Sequence, residues 1–307
     1  MRTRTRITLI SLGTAAILLA APAAYASPGQ SVTDLTTATP QQLVDELAGT
    51  GITTSNVTYV GAPEAAGLFS GMSSVGLDAG VVLSTGAATK IVGPNLTPDA
   101  SDDWDEPGDA DLSLLSAPNP TFDAAVLEFD FVPSGTILSF NYLFGSDEYN
   151  EFVNQVYDDA FAFYINGVNC AVIDDGAGAT TPVTINTVNL DDNSASFRDN
   201  DADAGSPFDT EFDGMTTVLT CTGAVNQGQV NHLKLAIADG FDTSFNSAVM
   251  IEAGTISATV GSPAPAAAPD PAVLAATGIE PVAPLAVSVA ALLLGAILLG
   301  SRRQRRA

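Results

Sequence analysis

The strongest constraint on this chain is an unbroken two-residue alternation in its middle. Residues 125–132 (AVLEFDFV) set Leu127, Phe129 and Phe131 on one face and Glu128 and Asp130 on the other. Residues 136–144 (TILSFNYLF) likewise gather Leu138, Phe140, Tyr142 and Phe144. A period of two with one apolar face is the signature of half-buried antiparallel strands. A hairpin follows: FAFYI, then Asn166-Gly167, then VNCAVI, where Asn-Gly favours the type I′ turn. Pairing Ile165 with Val168 sets Phe163 opposite Cys170 and Phe161 opposite Val172, so Cys170 faces inward. In TTVLTC, Cys221 shares a face with Leu219. These are the only two cysteines, and in a secreted chain their inward placement predicts a disulfide across two packed sheets. The one helix predicted is TPQQLVDELAG, with Thr39 as N-cap, Pro40 at its first position, Gln42 completing a capping box and Gly49 stopping it. The expected fold is mainly β, an antiparallel, jelly-roll-like β-sandwich with one short N-terminal helix.

Both ends of the chain address its destination. Arg2, Arg4 and Arg6 precede the apolar run ITLISLGTAAILLA and the small-residue site Ala24-Tyr25-Ala26, which predicts a signal peptide over 1–26 cut between Ala26 and Ser27. An ectodomain over 27–258 leads into a Pro/Ala-rich linker over 259–273, expected to be extended. Residues 282–300 are apolar throughout and close to the ~20 residues that cross a bilayer, and the tail 301–307 carries four arginines that hold it in the cytoplasm. Between linker and span stands Leu274-Ala275-Ala276-Thr277-Gly278. Pentapeptide, span and basic tail in that order resemble a Gram-positive sortase sorting signal, in the LAxTG form associated with class E sortases of actinobacteria. The resemblance implies cleavage between Thr277 and Gly278 and transfer of the Thr277 carbonyl to a peptidoglycan cross-bridge amine. It also implies a membrane-held precursor, and a plain membrane anchor is the alternative.

Trimming those ends deepens the charge. The whole chain carries −25 from 10 basic and 35 acidic residues; without the seven terminal arginines and Glu280, three basic face 34 acidic residues, about −31. Only Lys90, Arg198 and Lys234 remain. Such a surface repels nucleic acid and anionic lipid. Clustered carboxylates on it repel one another unless solvated or neutralised, and outside a cell calcium is the natural neutraliser of oxygen-rich sites.

Several spaced motifs carry a family likeness: GVVLSTG at 80–86, FGSDEYNEFVNQVYDDAFAFYING at 144–167, RDND at 198–201, EFDGMTTVLT at 211–220 and HLKLAIADGFDTSFNSAVMIEAG at 232–254. Together they resemble the bacterial choice-of-anchor L domain, over most of residues 50–258. The resemblance implies a β-rich surface domain whose attachment device varies, and it supplies no catalytic residues.

The acids offer two candidate calcium sites. Asp147, Glu148, Asp158 and Asp159 lie between two strands, and Asp239, Asp242 and Asn246 follow a third; converging loops would supply six to eight oxygens. Asp199, Asp201 and Asp203 have alternate spacing, but Ala204 stands at the tight-turn glycine of an EF-hand loop and Thr210 at its bidentate glutamate. Solvated loop charge is the plain alternative for both. A hydrolase pair, Glu148 with Glu151 or Asp159, is the enzymatic alternative. The only histidine, His232, shares an outward face with Lys234 and is poorly placed as a base. The acidic stretch 99–111 reads as an exposed loop in which Trp104, the only tryptophan, is a packing plug or a ligand platform. The functional expectation is a wall-anchored display protein whose loops bind an unknown surface ligand, with a structural sheath component as the alternative.

Overall fold

Alternating faces do bury as two layers. The computed structural model describes residues 29–98, 100–175 and 178–261. The signal peptide, most of the linker, the LAATG motif, the apolar span and the tail lie outside the described residues. No helix among the described residues is long and apolar enough to cross a membrane.

One sheet holds nine strands: β1 (Ser31–Asp34), β3 (Ala66–Ser70), β4 (Ala79–Ser84), β6 (Ile137–Ser146), β11 (Phe197–Asp199), β12 (Gly214–Thr216), β13 (Leu219–Ala224), β15 (Ser247–Glu252) and β16 (Ser257–Thr259). β6 is its hub, pairing with β12, β13, β15 and β16. The second sheet runs in the order β2 (Ile52–Val60), β5 (Thr121–Pro133), β14 (Asn231–Gly240), β7 (Ala160–Ile165) and β8 (Val168–Asn169). A small pair, β9 (Val172–Asp174) with β10 (Thr180–Pro182), lies apart from both. All these ladders are antiparallel, so the predicted mainly β antiparallel sandwich is present.

The inward faces are those the alternation selects. Leu127, Phe129 and Phe131 from β5 meet Leu138, Phe140, Tyr142 and Phe144 from β6, all at most 1% exposed. Tyr142 packs edge-on to Phe163 at 4.9 Å and Phe144 stacks on Phe161 at 4.9 Å. Burying each such ring contributes about 2 kcal/mol before packing terms are added. Outward on the second sheet, His232 of β14 sits between Asp130 at 2.9 Å and Glu128 at 3.5 Å, both on β5.

Helix α1 (Pro40–Leu47) starts as its sequence dictates. The Gln42 amide donates to Thr39 Oγ1 and the Thr39 amide to Gln42 Oε1, and Leu43, Val44 and Leu47 are buried. A second helix, α2 (Ala110–Leu115), occupies the end of the stretch expected to be an exposed loop. Asp109 caps it, accepting from the Asp111 and Leu112 amides. Six residues are too few for a legible period, and Leu112 alone is buried, against the alanine-rich outer face of the second sheet.

The hairpin keeps its turn and loses its far end. Asn166 and Gly167 both have positive φ, 51° and 84°, and Ile165 pairs with Val168. Cys170 stays opposite Phe163, its amide donating to the Phe163 carbonyl at 2.9 Å, and the chain then peels away: Asn169 Oδ1 accepts from the Phe163 and Ala171 amides, and Val172 pairs with Pro182 instead of facing Phe161. Cys170 still points inward and forms a disulfide with Cys221, 51 residues on, which joins the two sheets. The chain-entropy contribution of a loop that long is about 4 kcal/mol.

Candidate functional site

Two connections cross from sheet to sheet at the same end of the sandwich. Residues 147–159 lead from β6 to β7, and residues 241–246 lead from β14 to β15. They are tied together at their bases, where Ser146 pairs with Ser247, the Asp147 amide donates to the Asn246 carbonyl at 3.1 Å, and the Gly240 amide donates to Asp159 Oδ1 at 2.9 Å. The acids singled out in the sequence therefore do meet at one end, but around two poles.

The first pole holds Glu148, Asp159 and Asp239, each 1% exposed. Asp159 immediately precedes β7 and Asp239 is the next-to-last residue of β14, while Glu148 reaches across so that Oε2 accepts from the Asp159 amide at 3.2 Å. Burial, then the charge of Asp159, pushes the Glu148 carboxyl well above its ordinary range, and the same two causes act on Asp239. Burial raises Asp159 to about 7. Asp159 Oδ2 and both oxygens of Asp239 lack a partner at regular hydrogen-bonding geometry; the Ser247 hydroxyl opposes burial at Asp159 and the Thr85 hydroxyl does so at Asp239. Buried polar atoms are nearly always satisfied, so three orphaned carboxylate oxygens in one place mark a function or a missing ligand. None of the body's three cations answers them. Lys90 is held by Asp102 at 2.8 Å, Lys234 by Asp109 and Asp111 at 2.8 and 2.7 Å, and Arg198 donates to the Val75 carbonyl at 2.6 Å.

Asp158 and Asp242 flank this pole. Burial lifts Asp158 to about 6, and its side chain lines a cavity of about 180 Å³ with Thr184 and Asn186. Asp242 Oδ1 accepts from the Ser244 amide, and its charge adds to the repulsion on Glu148 and Asp159. The Asn246 side chain is engaged elsewhere: Oδ1 accepts from the Asp102 amide and Nδ2 donates to the Ala100 carbonyl.

Asp147 belongs to the second pole. Its carboxyl, 2% exposed, is raised by burial first and then by Asp213 and Glu211. Asp213 accepts from Asn95 Nδ2 at 2.6 Å through Oδ1, while its Oδ2, Asp147 Oδ1 and Asn150 Oδ1 have no partner. The second sequence motif borders this pole: Asn150 Nδ2 and the Asp201 amide both donate to Asp199 Oδ1, and Asp201 adds to the repulsion on Asp213. The Asp203 side chain lies outside the described residues. As the side chains stand, no three Asp, Glu, His or Cys residues among those described close on a common point at metal-ligand distance.

Aromatic side chains from both crossovers pack over this end, with ring centroids 4.7 Å apart for Phe152 and Phe245, 5.3 Å for Phe152 and Tyr157, and 5.2 Å for Tyr157 and Phe241. Phe241 and Phe245 hold positive φ, 81° and 64°. A bulky residue there costs about 1–2 kcal/mol, and such strain clusters at sites. Sequence reasoning missed Asp213, Glu211, Asn95 and Asn150 as neighbours of Asp147. The available signal was Phe212-Asp213-Gly214, an acid between residues that pack inward.

The family model of the choice-of-anchor L domain matches residues 31–257. The chain belongs to that family. Its members' name describes a surface domain with variable attachment, so this is a cell-surface protein. No curated protein and no solved structure matches it.

Proposed function

We propose that this choice-of-anchor L domain is a wall-displayed ligand-binding module whose loop end is fixed by calcium. On this reading residues 1–26 export the chain, a class E sortase cleaves between Thr277 and Gly278, and Thr277 is joined to a peptidoglycan amine of an actinobacterial wall. Order and composition of the terminal segments support that route. The apolar span holds the precursor in the membrane until cleavage.

One observation carries the calcium reading: Asp239 is buried beside two further buried carboxyls with only the Thr85 hydroxyl drawing on it, and every lysine and arginine of the body is committed elsewhere. Calcium takes six to eight oxygens at about 2.4 Å and tolerates irregular geometry. Drawing Glu148, Asp159 and Asp239 inward onto one ion, with backbone carbonyls and water, would replace repulsion by attraction. Asp158 and Asp242 are the adjacent reserve, and the Asp147–Asp213 pole is a second place for the same chemistry. Glu148 and Asp159 as a hydrolytic pair are disfavoured because both are 1% exposed and no substrate reaches them; Glu151, the other candidate partner, is exposed.

The test is the thermal midpoint of the ectodomain with calcium, magnesium or chelator. Calcium alone is expected to raise it, and Asp239→Asn is expected to raise the midpoint in chelator while removing the calcium gain. Equal shifts with magnesium and with monovalent salt would reduce the acids to generic surface charge.

A further inference from the structure

A groove of about 800 Å³ lies on the outer face of the second sheet. Its floor is Ala124 and Val126 of β5, one wall is residues 60–64, and the other is residues 104–109 with the side chain of Trp104. That volume, an apolar floor and a few convergent polar groups are the ordinary anatomy of a small-ligand site.

Both walls are pinned by specific devices. Asp123, 2% exposed and at φ 48°, takes the Glu106 amide on Oδ1 at 2.6 Å and the Trp104 amide on Oδ2 at 3.3 Å. A buried carboxylate in a strained backbone conformation thus fixes the segment that presents the tryptophan. Opposite, the Tyr59 hydroxyl donates to the Ala62 carbonyl at 2.7 Å. Gly61 and Gly108 let the walls lie flush with β5: a Cβ on Gly61 would stand 2.6 Å from the Ala124 carbonyl oxygen, and one on Gly108 2.0 Å from that of Thr121. The groove is preformed, which lowers the ordering cost of binding.

The lining selects the ligand by charge. Glu64, Glu106 and Glu128 face the groove, and its single cation, Lys234, is 11% exposed and neutralised by Asp109 and Asp111. Phosphates and carboxylates are thereby rejected. Trp104 is half-buried, packs in part against the sandwich core and also lines the groove; an indole suits the C–H face of a sugar ring or a cation, and the carboxylates accept hydrogen bonds from hydroxyls and ammonium groups. We infer that this groove binds an amino-sugar oligosaccharide, its pyranose ring lying on Trp104 and its ammonium groups meeting Glu64 and Glu106. The inference rests on the ligand-binding half of the proposed function and not on calcium.

Because Trp104 is the only tryptophan of the chain, its emission reports this groove alone. The full chain in detergent would be titrated with a glucosamine tetramer, with its fully N-acetylated counterpart and with trilysine, at mildly acid pH. A saturable emission change is expected with the glucosamine tetramer. Half-saturation should need at least about tenfold more N-acetylated sugar, and about tenfold more glucosamine tetramer after the double change Glu64→Gln and Glu106→Gln, a tenfold loss being about 1.4 kcal/mol. Both glutamates are exposed, so the variant keeps the fold. No saturable change, an unaffected double variant, or trilysine binding as tightly as the sugar would overturn the assignment. A thermal midpoint indifferent to calcium, with the titration intact, would refute the calcium reading alone.

Discussion

Raising the pH of the calcium-free ectodomain should destabilise it, and the direction follows from the first acidic pole. The folded chain holds the Asp159 carboxyl at about 7, against an ordinary value of 3.8. Between those values the folded state keeps a proton that the unfolded state has released. Stability from this group is therefore fully present below the unfolded value and is lost as pH rises through the folded one. A change from 3.8 to about 7 is worth about 4 kcal/mol once the pH exceeds both. For a domain of this size that is on the order of 10 °C in thermal midpoint. Glu148 and Asp239 are displaced in the same direction and couple to Asp159, so the loss belongs to the pole and not to one residue. The assay is a melt followed by circular dichroism in chelator at steps from about pH 5 to about pH 8, repeated in calcium. The midpoint should fall through that range in chelator and stay nearly level in calcium, where the ion takes the place of the protons. A midpoint that is flat or rises with pH in chelator would show that these carboxyls ionise freely, and the argument for a cation would go with it.

Two other perturbations test the frame around that pole. Replacing Cys170 and Cys221 together by alanine should cost about 4 kcal/mol, read as a lower denaturant midpoint with the slope altered by the loosened unfolded state. Thr277→Ala should leave the chain in the membrane fraction at its uncleaved mass, where the unaltered chain is recovered covalently attached to wall fragments; equal distribution of the two would refute the sorting signal.

Much of the fold was legible because its cause is local. The period-two faces of β5 and β6, the capping box at Thr39 and Gln42, and the Asn166-Gly167 turn each follow from a few adjacent side chains, and the disulfide follows from two inward cysteines. Where the sequence misled, a side chain outcompeted the ladder. Asn169 draws two amides to its own Oδ1 and ends the hairpin early, and Asp109 caps a helix too short to show a period. The acidic site was legible only as a set. That loops 147–159 and 241–246 share one end is a matter of topology, and that neighbouring Asp147 and Glu148 serve separate poles depends on Asp213, 66 residues beyond Asp147, returning beside β6.

The two sheets are held together unevenly, and that gives the acidic end its physical meaning. Cys221 pairs on β6 at Phe140, so the disulfide spans the sandwich there. Ser146, where the first crossover leaves β6, is six residues further along the strand, about 20 Å away. At that end each crossover contributes buried carboxylates to the first pole, Glu148 and Asp159 from one and Asp239 from the base of the other. Ionised together they drive the crossovers apart, and the disulfide is too distant to resist. A divalent ion at the first pole is, in the proposed reading, the counterpart of the disulfide. The connection runs further: Asp123, which fixes the Trp104 wall, also raises Asp239 by its charge. In the proposed reading a cation held by Asp239 attracts the Asp123 carboxylate and steadies the groove wall. Calcium should therefore tighten amino-sugar binding in the unaltered chain and have no effect on it in Asp239→Asn.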